Sequence, residues 1–235
     1  MAHIYEYIRT RGFEPIFFEE HFARLDALSR RLFFAPVAVE PNALKQDVAK
    51  ALQHSGCSPR TANAVYVRCS SDGEVEVEAM DILYNDFSLR ALRPEGYECR
   101  VSGALIIENT SAKESLIELN RAMAQISDEG VAIWVDEQGE VLAIDGAPVV
   151  AVFDDEIRFS HQGDGVEFDM AYTEAARLGY RVSKCAIMVD ELRNANELLC
   201  VDYRGITALY SFESHLYMDI VAEKIAQAVA DAEQL

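Results

Sequence analysis

A lysine at the start of an amphipathic stretch is the residue whose type and position most directly suggest chemistry. Ser111 stands three residues before Glu114, as in a capping box, which predicts a helix with Lys113 in its first turn. Apolar residues then recur at three- and four-residue steps, at Leu116, Leu119, Met123 and Ile126. The positive end of the helix dipole disfavours an ammonium at Lys113, and a neutral amine is the form that attacks a carbonyl to make a Schiff base. The same residues also fit a solvated lysine paired with Glu114 or Glu118, so the local sequence leaves two interpretations open.

The composition narrows the classes of partner. The chain has 235 residues, enough for one large domain or two modest ones, and its 40 acidic against 21 basic side chains give a net charge of −19. This charge disfavours nucleic acids and anionic membrane surfaces, and it favours small molecules or proteins as partners. The first residues show no basic, apolar and small-residue pattern, so we expect no leader, and no apolar run approaches the roughly 18 to 20 residues that span a bilayer. The five cysteines form no CxxC pair and have no histidine at metal-ligand spacing, which predicts neither zinc nor disulfides and favours a cytoplasmic location.

The first half of the chain predicts helices packed on an antiparallel sheet. Strands are predicted over residues 4–9, 15–18, 64–69 and 75–82, with 87–92 left open between strand and loop. Helical spacing predicts helices over 19–32 and 43–54, with Pro36 and Pro41 breaking the pattern between them. We therefore expect a small α+β domain over residues 1–95.

The second half predicts a larger domain over residues 103–235, with the domain boundary between Arg93-Pro94-Glu95-Gly96 and Asn109. Besides the Lys113 helix, helices are predicted over 168–178, 189–194 and 216–232. Strands are predicted over 101–107, 131–135, 141–144, 149–153, 157–159, 182–187, 197–201 and 206–212. The predicted fold class is α+β or α/β in two domains, with the Lys113 helix at their cleft.

Several short segments, taken in order, resemble those of a known family. Glu20-His21-Phe22-Ala23-Arg24-Leu25 is similar to an H-x-x-R-L helix that follows an opening strand, here residues 4–9. Ala112-Lys113 with Asn120 is similar to a Schiff-base lysine with its helix, and Gly139-Glu140-Val141 is similar to the turn that follows. The end of the chain adds Gly179-Tyr180-Arg181-Val182, Glu191-Leu192 and Ala195-Asn196-Glu197. In this order the chain resembles the class IV aminotransferases, the fold-type IV pyridoxal-phosphate enzymes that include branched-chain and D-amino-acid aminotransferases and aminodeoxychorismate lyase.

The resemblance implies a D-amino-acid aminotransferase-like fold with a shortened N-terminal segment and a pseudo-barrel sheet in the larger domain. It implies pyridoxal phosphate as the cofactor, with Lys113 forming the Schiff base and transferring protons. By the same resemblance Arg24 reaches the cofactor phosphate, and Glu197 belongs to the cofactor-binding residues. It also implies a small-molecule amino compound as substrate and a homodimer, because the family's sites are completed across a dimer interface.

Three positions depart from the family's pattern. The carboxylate beside the pyridine nitrogen falls on Ala143, with Asp145 as the nearest acid, and the two phosphate-binding threonines fall on Glu167 and Asp202. Two like unit charges about 4 Å apart repel by roughly 4 kcal/mol at an effective dielectric of about 20. The favourable interaction of an anion with a helix N-terminus offsets only about 0.3 to 1 kcal/mol of this repulsion. Pyridoxal phosphate should therefore bind poorly unless both acids turn outward.

Two functions remain open. The first is a divergent pyridoxal-phosphate aminotransferase or lyase that acts on an amino acid or aminodeoxychorismate through Lys113. The second is a degenerate relative that keeps the fold and dimer but binds no cofactor. The alignment has an alternative as well: if Leu119-Asn120-Arg121 is matched to the lyase's own segment after its lysine, the lysine position falls on Ile117 and the nucleophile is absent.

Overall fold

The chain divides into two compact units. The computed structural model describes residues 2–80, 87–102, 108–123, 126 and 130–234. One unit comprises Met1–Asp86 with Asn109–Ser111, and the other comprises Phe87–Glu108 with Ala112–Leu235. The predicted small domain ends at residue 95, and the predicted larger domain begins at residue 103. In the structure the chain first passes from one unit to the other between residues 86 and 87. No helix in the described ranges has both the length and the apolar character needed to cross a bilayer.

The first unit is an antiparallel four-stranded sheet with two helices packed on it. The strands are β1 (His3–Arg11), β2 (Glu14–Pro15), β3 (Ala62–Ser70) and β4 (Val75–Ala79), in the order β2-β1-β3-β4. The helices are α1 (Phe18–Phe33) and α2 (Pro41–His54). Helical spacing turns Phe18 and Leu25 of α1 inward, where they pack with Ile4 and Ile8 of β1.

Both predicted helices and the first and third strands of this half are confirmed, and the fourth strand ends at Ala79, with residues 81–82 of its prediction outside the described residues. The strand predicted over 15–18 is wrong in its bounds, because β2 spans only Glu14–Pro15 and α1 begins at Phe18. Residues 87–92, which were left open, form no strand.

The second unit contains two five-stranded sheets, three α-helices and a 3-10 helix (Val189–Asn194). One sheet has the order β10-β9-β8-β11-β12 and consists of β8 (Val149–Phe153), β9 (Glu156–Ser160), β10 (Arg181–Cys185), β11 (Glu197–Asp202) and β12 (Gly205–Ala208). The other has the order β14-β13-β5-β6-β7 and consists of β5 (Glu95–Arg100), β6 (Gly130–Val135), β7 (Val141–Ile144), β13 (Ser211–Phe212) and β14 (His215–Leu216). The α-helices are α3 (Ser111–Met123), α4 (Val166–Arg177) and α5 (Ile220–Ala232).

Three apolar layers hold the second unit together, because alternating strand residues point to opposite faces of each sheet. Helices α4 and α5 pack on one face of the β8 sheet, for example through Phe168 and Ile225. The opposite face of that sheet packs on the β6 sheet, where Val149 lies in the same cluster as Ile133. Helix α3 covers the remaining face of the β6 sheet around Trp134. The Lys113 helix is therefore fixed on β6 and β7.

The structure differs from the sequence prediction at three elements of the second unit. Strand β5 was not predicted because its charged and exposed residues show no apolar alternation. The predicted strand over 206–212 is divided, since β12 pairs with β11 whereas β13 joins the other sheet beside β5. The last helix begins at Ile220 and not at residue 216, because residues 215–216 form β14. Residues 103–107, which make up most of the predicted strand over 101–107, lie outside the described residues.

Candidate active site

Lys113 lies on the buried face of α3. Its relative exposure is 7%, and Leu116 and Ile117 on the same face pack against the β6–β7 hairpin. The predicted apolar stripe is wrong at Leu119, which is 52% exposed. The inward stripe instead runs along Lys113, Leu116, Ile117 and Asn120, which are three or four residues apart. A solvated surface lysine, the alternative left open by the local sequence, does not agree with this burial.

The turn between β7 and β8 packs directly beneath Lys113. Asp145 and Gly146 have φ values of +46° and +79°, and Ile144 and Ala147 exchange two backbone hydrogen bonds of 2.9 Å. The two positive φ values and the paired hydrogen bonds are those of a two-residue type I′ turn, for which Asp-Gly is a preferred sequence. A Cβ atom added at Gly146 would lie 2.8 Å from Ile117 Cδ1 and 3.2 Å from Lys113 Cε. Glycine thus permits both the turn and the close approach of the lysine stem.

Asp145 is engaged by its own surroundings. Its carboxylate accepts a hydrogen bond of 2.9 Å from the Ala132 backbone N–H and forms an ion pair with Arg121 near the end of α3. Burial raises the pKa of Asp145 above its usual value, although the Ala132 N–H and the Arg121 guanidinium partly oppose this effect. The Asp145 carboxylate therefore connects α3 to β6. These contacts limit the availability of the carboxylate to a ligand.

Ala143 provides an apolar surface at the position where the family's pattern has an acid. It lies on β7 opposite Trp134 of β6, and both side chains belong to the cluster beneath α3. Trp134 is fully buried, and its indole Nε1–H has no hydrogen-bond acceptor among the described residues. This region offers a methyl group and a donor, but Ala143 itself supplies no carboxylate.

The two acids at the predicted phosphate positions lie in different environments. Glu167 is buried in the first turn of α4, next to Gly165 at the helix N-cap. Asp202 lies at the β11–β12 turn, where it accepts 2.7 Å and 3.0 Å hydrogen bonds from the backbone N–H and Nε of Arg204. The neighbouring Asp202 carboxylate raises the pKa of the Arg204 guanidinium. Arg204 thus compensates the charge of Asp202, which reduces the phosphate repulsion expected from the sequence.

Glu197 caps a helix. This residue is 1% exposed, and its two carboxylate oxygens accept hydrogen bonds of 2.7 Å and 2.9 Å from the backbone N–H groups of Val221 and Ala222 in the first turn of α5. Free N–H groups at a helix start require such acceptors. Helix capping is therefore a sufficient reason for the burial of Glu197. The predicted contact of Glu197 with the cofactor stays a prediction, and these hydrogen bonds do not support it.

Arg24 belongs to a buried polar network of the first unit. Glu6 on β1 is 5% exposed. One of its carboxylate oxygens lies 2.8 Å from His21 Nδ1 and 3.3 Å from Arg24 Nε. The other oxygen accepts a hydrogen bond of 3.3 Å from Asn109 Nδ2. Sequence reasoning singled out His21 and Arg24 but missed Glu6, whose signal was a carboxylate inside an otherwise apolar and aromatic strand.

Glu6 should contribute to stability above acidic pH. Burial by itself raises the pKa of Glu6, but the His21 hydrogen bond and the Arg24 guanidinium more than offset it and hold the pKa below the ordinary 4.5. A carboxyl with a lowered folded-state pKa stabilises fully above its unfolded value, and this contribution disappears as the pH falls through the folded value. Glu6→Gln should lower the free energy of unfolding at neutral pH by about 1 to 3 kcal/mol.

Urea unfolding of Glu6→Gln and the parent chain at neutral and at acidic pH would measure this effect. Glu78→Gln, on an exposed position of β4, is the matched control and should change stability by less than about 0.5 kcal/mol. A deficit of Glu6→Gln that stays the same at acidic pH would contradict an electrostatic contribution.

The fold is shared with aminotransferases of known structure. A protein of Thermotoga maritima, provisionally assigned as a branched-chain amino acid aminotransferase, matches with a TM-score of 0.81 at 17% identity, over 99% of this chain and 86% of that one. A hypothetical aminotransferase from Mycobacterium tuberculosis, in a form with α-ketoglutarate and PMP bound, matches with a TM-score of 0.74 at 16% identity, over 98% and 89%. The branched-chain enzyme of Escherichia coli matches with a TM-score of 0.77 at 16% identity, over 96% and 84%. These matches confirm the predicted two-domain fold class.

Sequence comparison adds the family. No curated protein matches the chain by sequence. The family model described as amino-transferase class IV matches residues 3–202, which is most of the chain and includes the strand of Glu6, the helix of Lys113 and the turn at Asp202. The chain therefore belongs to the class IV amino-transferase family.

Proposed function

We propose that the chain is a class IV protein that holds pyridoxal phosphate through Lys113 and acts on a small amino compound as an aminotransferase or lyase. The observation that carries this proposal is the burial of Lys113 on the inward face of α3, against Gly146. Buried lysine residues are a common source of Schiff-base nucleophiles in enzymes, because a shielded amine can react in its neutral form. The PMP named for the structural neighbour from Mycobacterium tuberculosis supports the same assignment.

The described residues accommodate two of the cofactor's three polar parts. Lys113 would hold the aldehyde end, and the Asp202 turn can receive the phosphate because Arg204 compensates the acid. Arg24 is the phosphate ligand implied by the resemblance, and its contribution stays part of the proposal. The ring nitrogen is the exception, since Ala143 lies at the expected carboxylate position and Asp145 is bound to Arg121 and the Ala132 N–H.

The protein's own groups would perform three tasks. Lys113 would form the covalent link and, when released, would move a proton at its Nζ atom to and from the substrate Cα. The apolar layer beneath α3 would exclude water from that side of the site. Bound pyridoxal phosphate supplies an aldehyde and an electron-withdrawing ring, which withdraws most strongly when its nitrogen is protonated. Because Ala143 cannot keep that nitrogen protonated, turnover should be slow.

A second candidate is a degenerate homologue that keeps the fold and binds no cofactor. It is favoured by the apolar surroundings of Ala143 and by the buried carboxylate of Glu167 in the first turn of α4. A homodimer and a cytoplasmic location are further parts of both proposals. Both proposals also include that the chain binds neither nucleic acid nor membranes, and the net charge of −19 supports this.

Titration of the purified chain with pyridoxal phosphate tests the choice. Holding of the aldehyde by Lys113 should give a visible absorbance band that borohydride converts to a stable product, and peptide mapping should find the added mass on Lys113. A chain that stays colourless at saturating cofactor and takes up no borohydride-stable mass would favour the degenerate homologue.

A further inference from the structure

The layer beneath α3 contains a buried hydrogen-bond donor that lacks an acceptor. Trp134 of β6 is 0% exposed, and its indole Nε1–H has no partner among the described residues. The side-chain amide nitrogen of Asn120, on the inward stripe of α3, is a second buried donor without a partner there. Buried polar groups in native proteins are nearly always paired, so such a donor marks a position where an acceptor is expected. The layer therefore has an excess of donors.

The surroundings of Trp134 are apolar. Its neighbours across the sheet are Cys99 of β5 and Ala143 of β7, and Leu116 and Ile117 of α3 pack against the same cluster. A buried water molecule needs two to four polar partners, and it would have to donate its own hydrogens to acceptors as well. Water is therefore a poor partner for this indole, and a ligand that brings only an acceptor is a better one.

The titratable groups near Trp134 supply no available anion in the part of the chain that the structure describes. Burial raises the pKa of the Cys99 thiol, and the charge of Asp145 acts in the same direction, so the thiol stays neutral at neutral pH. The Asp145 carboxylate is held by a backbone N–H and by Arg121. A neutral acceptor on a ligand is therefore the partner that these surroundings favour.

We propose that the Trp134 indole N–H donates a hydrogen bond to the ring nitrogen of bound pyridoxal phosphate, which this chain therefore holds without a proton. This contact rests on the proposed function, because it requires the bound cofactor. The family's pattern places at position 143 a carboxylate, which accepts a hydrogen bond from a protonated ring nitrogen. Trp134, directly opposite Ala143, can only donate, so its partner must present a lone pair. The contact thus has the reverse polarity of the family's pattern.

The methyl group of Ala143 is part of the same proposal. A ring can approach the sheet more closely beside a methyl group than beside a longer acid side chain, and Trp134 is the cross-strand neighbour of this position. An unprotonated ring withdraws electrons less strongly, so reactions that place negative charge on the substrate Cα should be slowed most. The reversed contact would therefore preserve cofactor binding while limiting this chemistry.

Nuclear magnetic resonance tests the contact in the unmodified full-length chain. Trp134 is the one tryptophan of the sequence, so its indole N–H gives a single signal in a proton–nitrogen-15 correlation spectrum. Pyridoxal phosphate should move this signal downfield in the proton dimension, because a hydrogen bond deshields the donor proton. Its 1-deaza analogue has a C–H in place of the ring nitrogen and a similar ring current, and it should move the signal much less. Equal shifts with the two compounds would overturn the contact.

Trp134→Phe keeps an aromatic ring and removes the donor. This variant should weaken the binding of pyridoxal phosphate about twofold to tenfold, as expected for one neutral hydrogen bond, and leave affinity for the 1-deaza analogue within about twofold. Tyr97→Phe removes a donor from an exposed aromatic side chain paired with Glu95, and it should change neither affinity. Equal weakening of both compounds in Trp134→Phe would mean that Trp134 acts by packing alone and would overturn the contact. The spectra of the parent chain decide the matter if this variant fails to fold.

Borohydride reduction separates this contact from the proposed function. A stable product on Lys113, with equal indole shifts for the two compounds, would overturn the Trp134 contact alone. An indole shift that requires the ring nitrogen, without any product on Lys113, would overturn only the proposed covalent link. A chain that shows neither the product nor the shift would overturn both.

Discussion

Lys113→Ala should abolish the borohydride-stable attachment of pyridoxal phosphate to the chain. Among the described residues of α3, Lys113 is the one amine, and alanine cannot form the covalent link. The expected loss is complete and not graded, because the absorbance band and the added mass both require that nitrogen. Absorbance after cofactor addition, followed by reduction and peptide mapping, measures it.

Two control variants separate lost chemistry from lost structure. Lys113→Arg keeps a cation and a long apolar stem against Gly146, but a guanidinium forms no Schiff base, so it should also give no product. Lys184→Ala removes an exposed lysine that pairs with Asp169 at 2.8 Å, and it should leave attachment unchanged. A product that persists in Lys113→Ala would mean that another lysine anchors the cofactor. A circular-dichroism melting curve should show that each variant folds.

The sequence predicted α3 correctly and placed Leu116 on its buried face, but it assigned Leu119 to that face wrongly. Helix signals such as the capping box and the three- and four-residue spacing are local, and they located Lys113 in the first turn. Hydrophobicity alone favoured Leu119 as a core residue, yet Leu119 is exposed and Lys113 faces inward. The inward face depends on the β6–β7 hairpin and the turn after it, whose Gly146 makes room for a lysine stem. Gly146 follows Lys113 by 33 residues (146 − 113), beyond the range of a local helix pattern.

The polar partners of the candidate site were harder to predict. Arg204 follows Asp202 by two residues, and this ion pair was accessible from the sequence of a tight turn. The contacts from Arg90 to Thr207 and from Glu6 to Asn109 join residues more than 100 positions apart. Such contacts depend on strand order and register, which short-range patterns do not specify. Sequence reasoning therefore found the acids and the lysine but not their partners.

Ala143→Glu should raise the rate of amino-group transfer of the cofactor-loaded chain about a hundredfold. A carboxylate at this position would keep the ring nitrogen protonated, which is the contribution that the present chain lacks. The rate should be measured with a panel of amino acids and an excess of a 2-oxo acid acceptor. Ala143→Gln has nearly the same size without the charge, and it should leave the rate within a few-fold of the parent chain.

The same variant should also increase the stabilising effect of the cofactor. Without cofactor, Ala143→Glu would bury a carboxylate beside Leu142 and Trp134, and an uncompensated buried charge lowers the free energy of unfolding by about 3 kcal/mol or more. The Trp134 indole N–H, which has no acceptor among the described residues, can donate one hydrogen bond to the new carboxylate and offset part of this loss. Pairing with a protonated ring nitrogen would return more, so pyridoxal phosphate should raise the melting temperature of Ala143→Glu further than that of the parent chain or Ala143→Gln. If Ala143→Glu and Ala143→Gln respond alike in both rate and melting temperature, then the ring nitrogen does not lie near position 143, and the loss of the acid there cannot be what limits this protein.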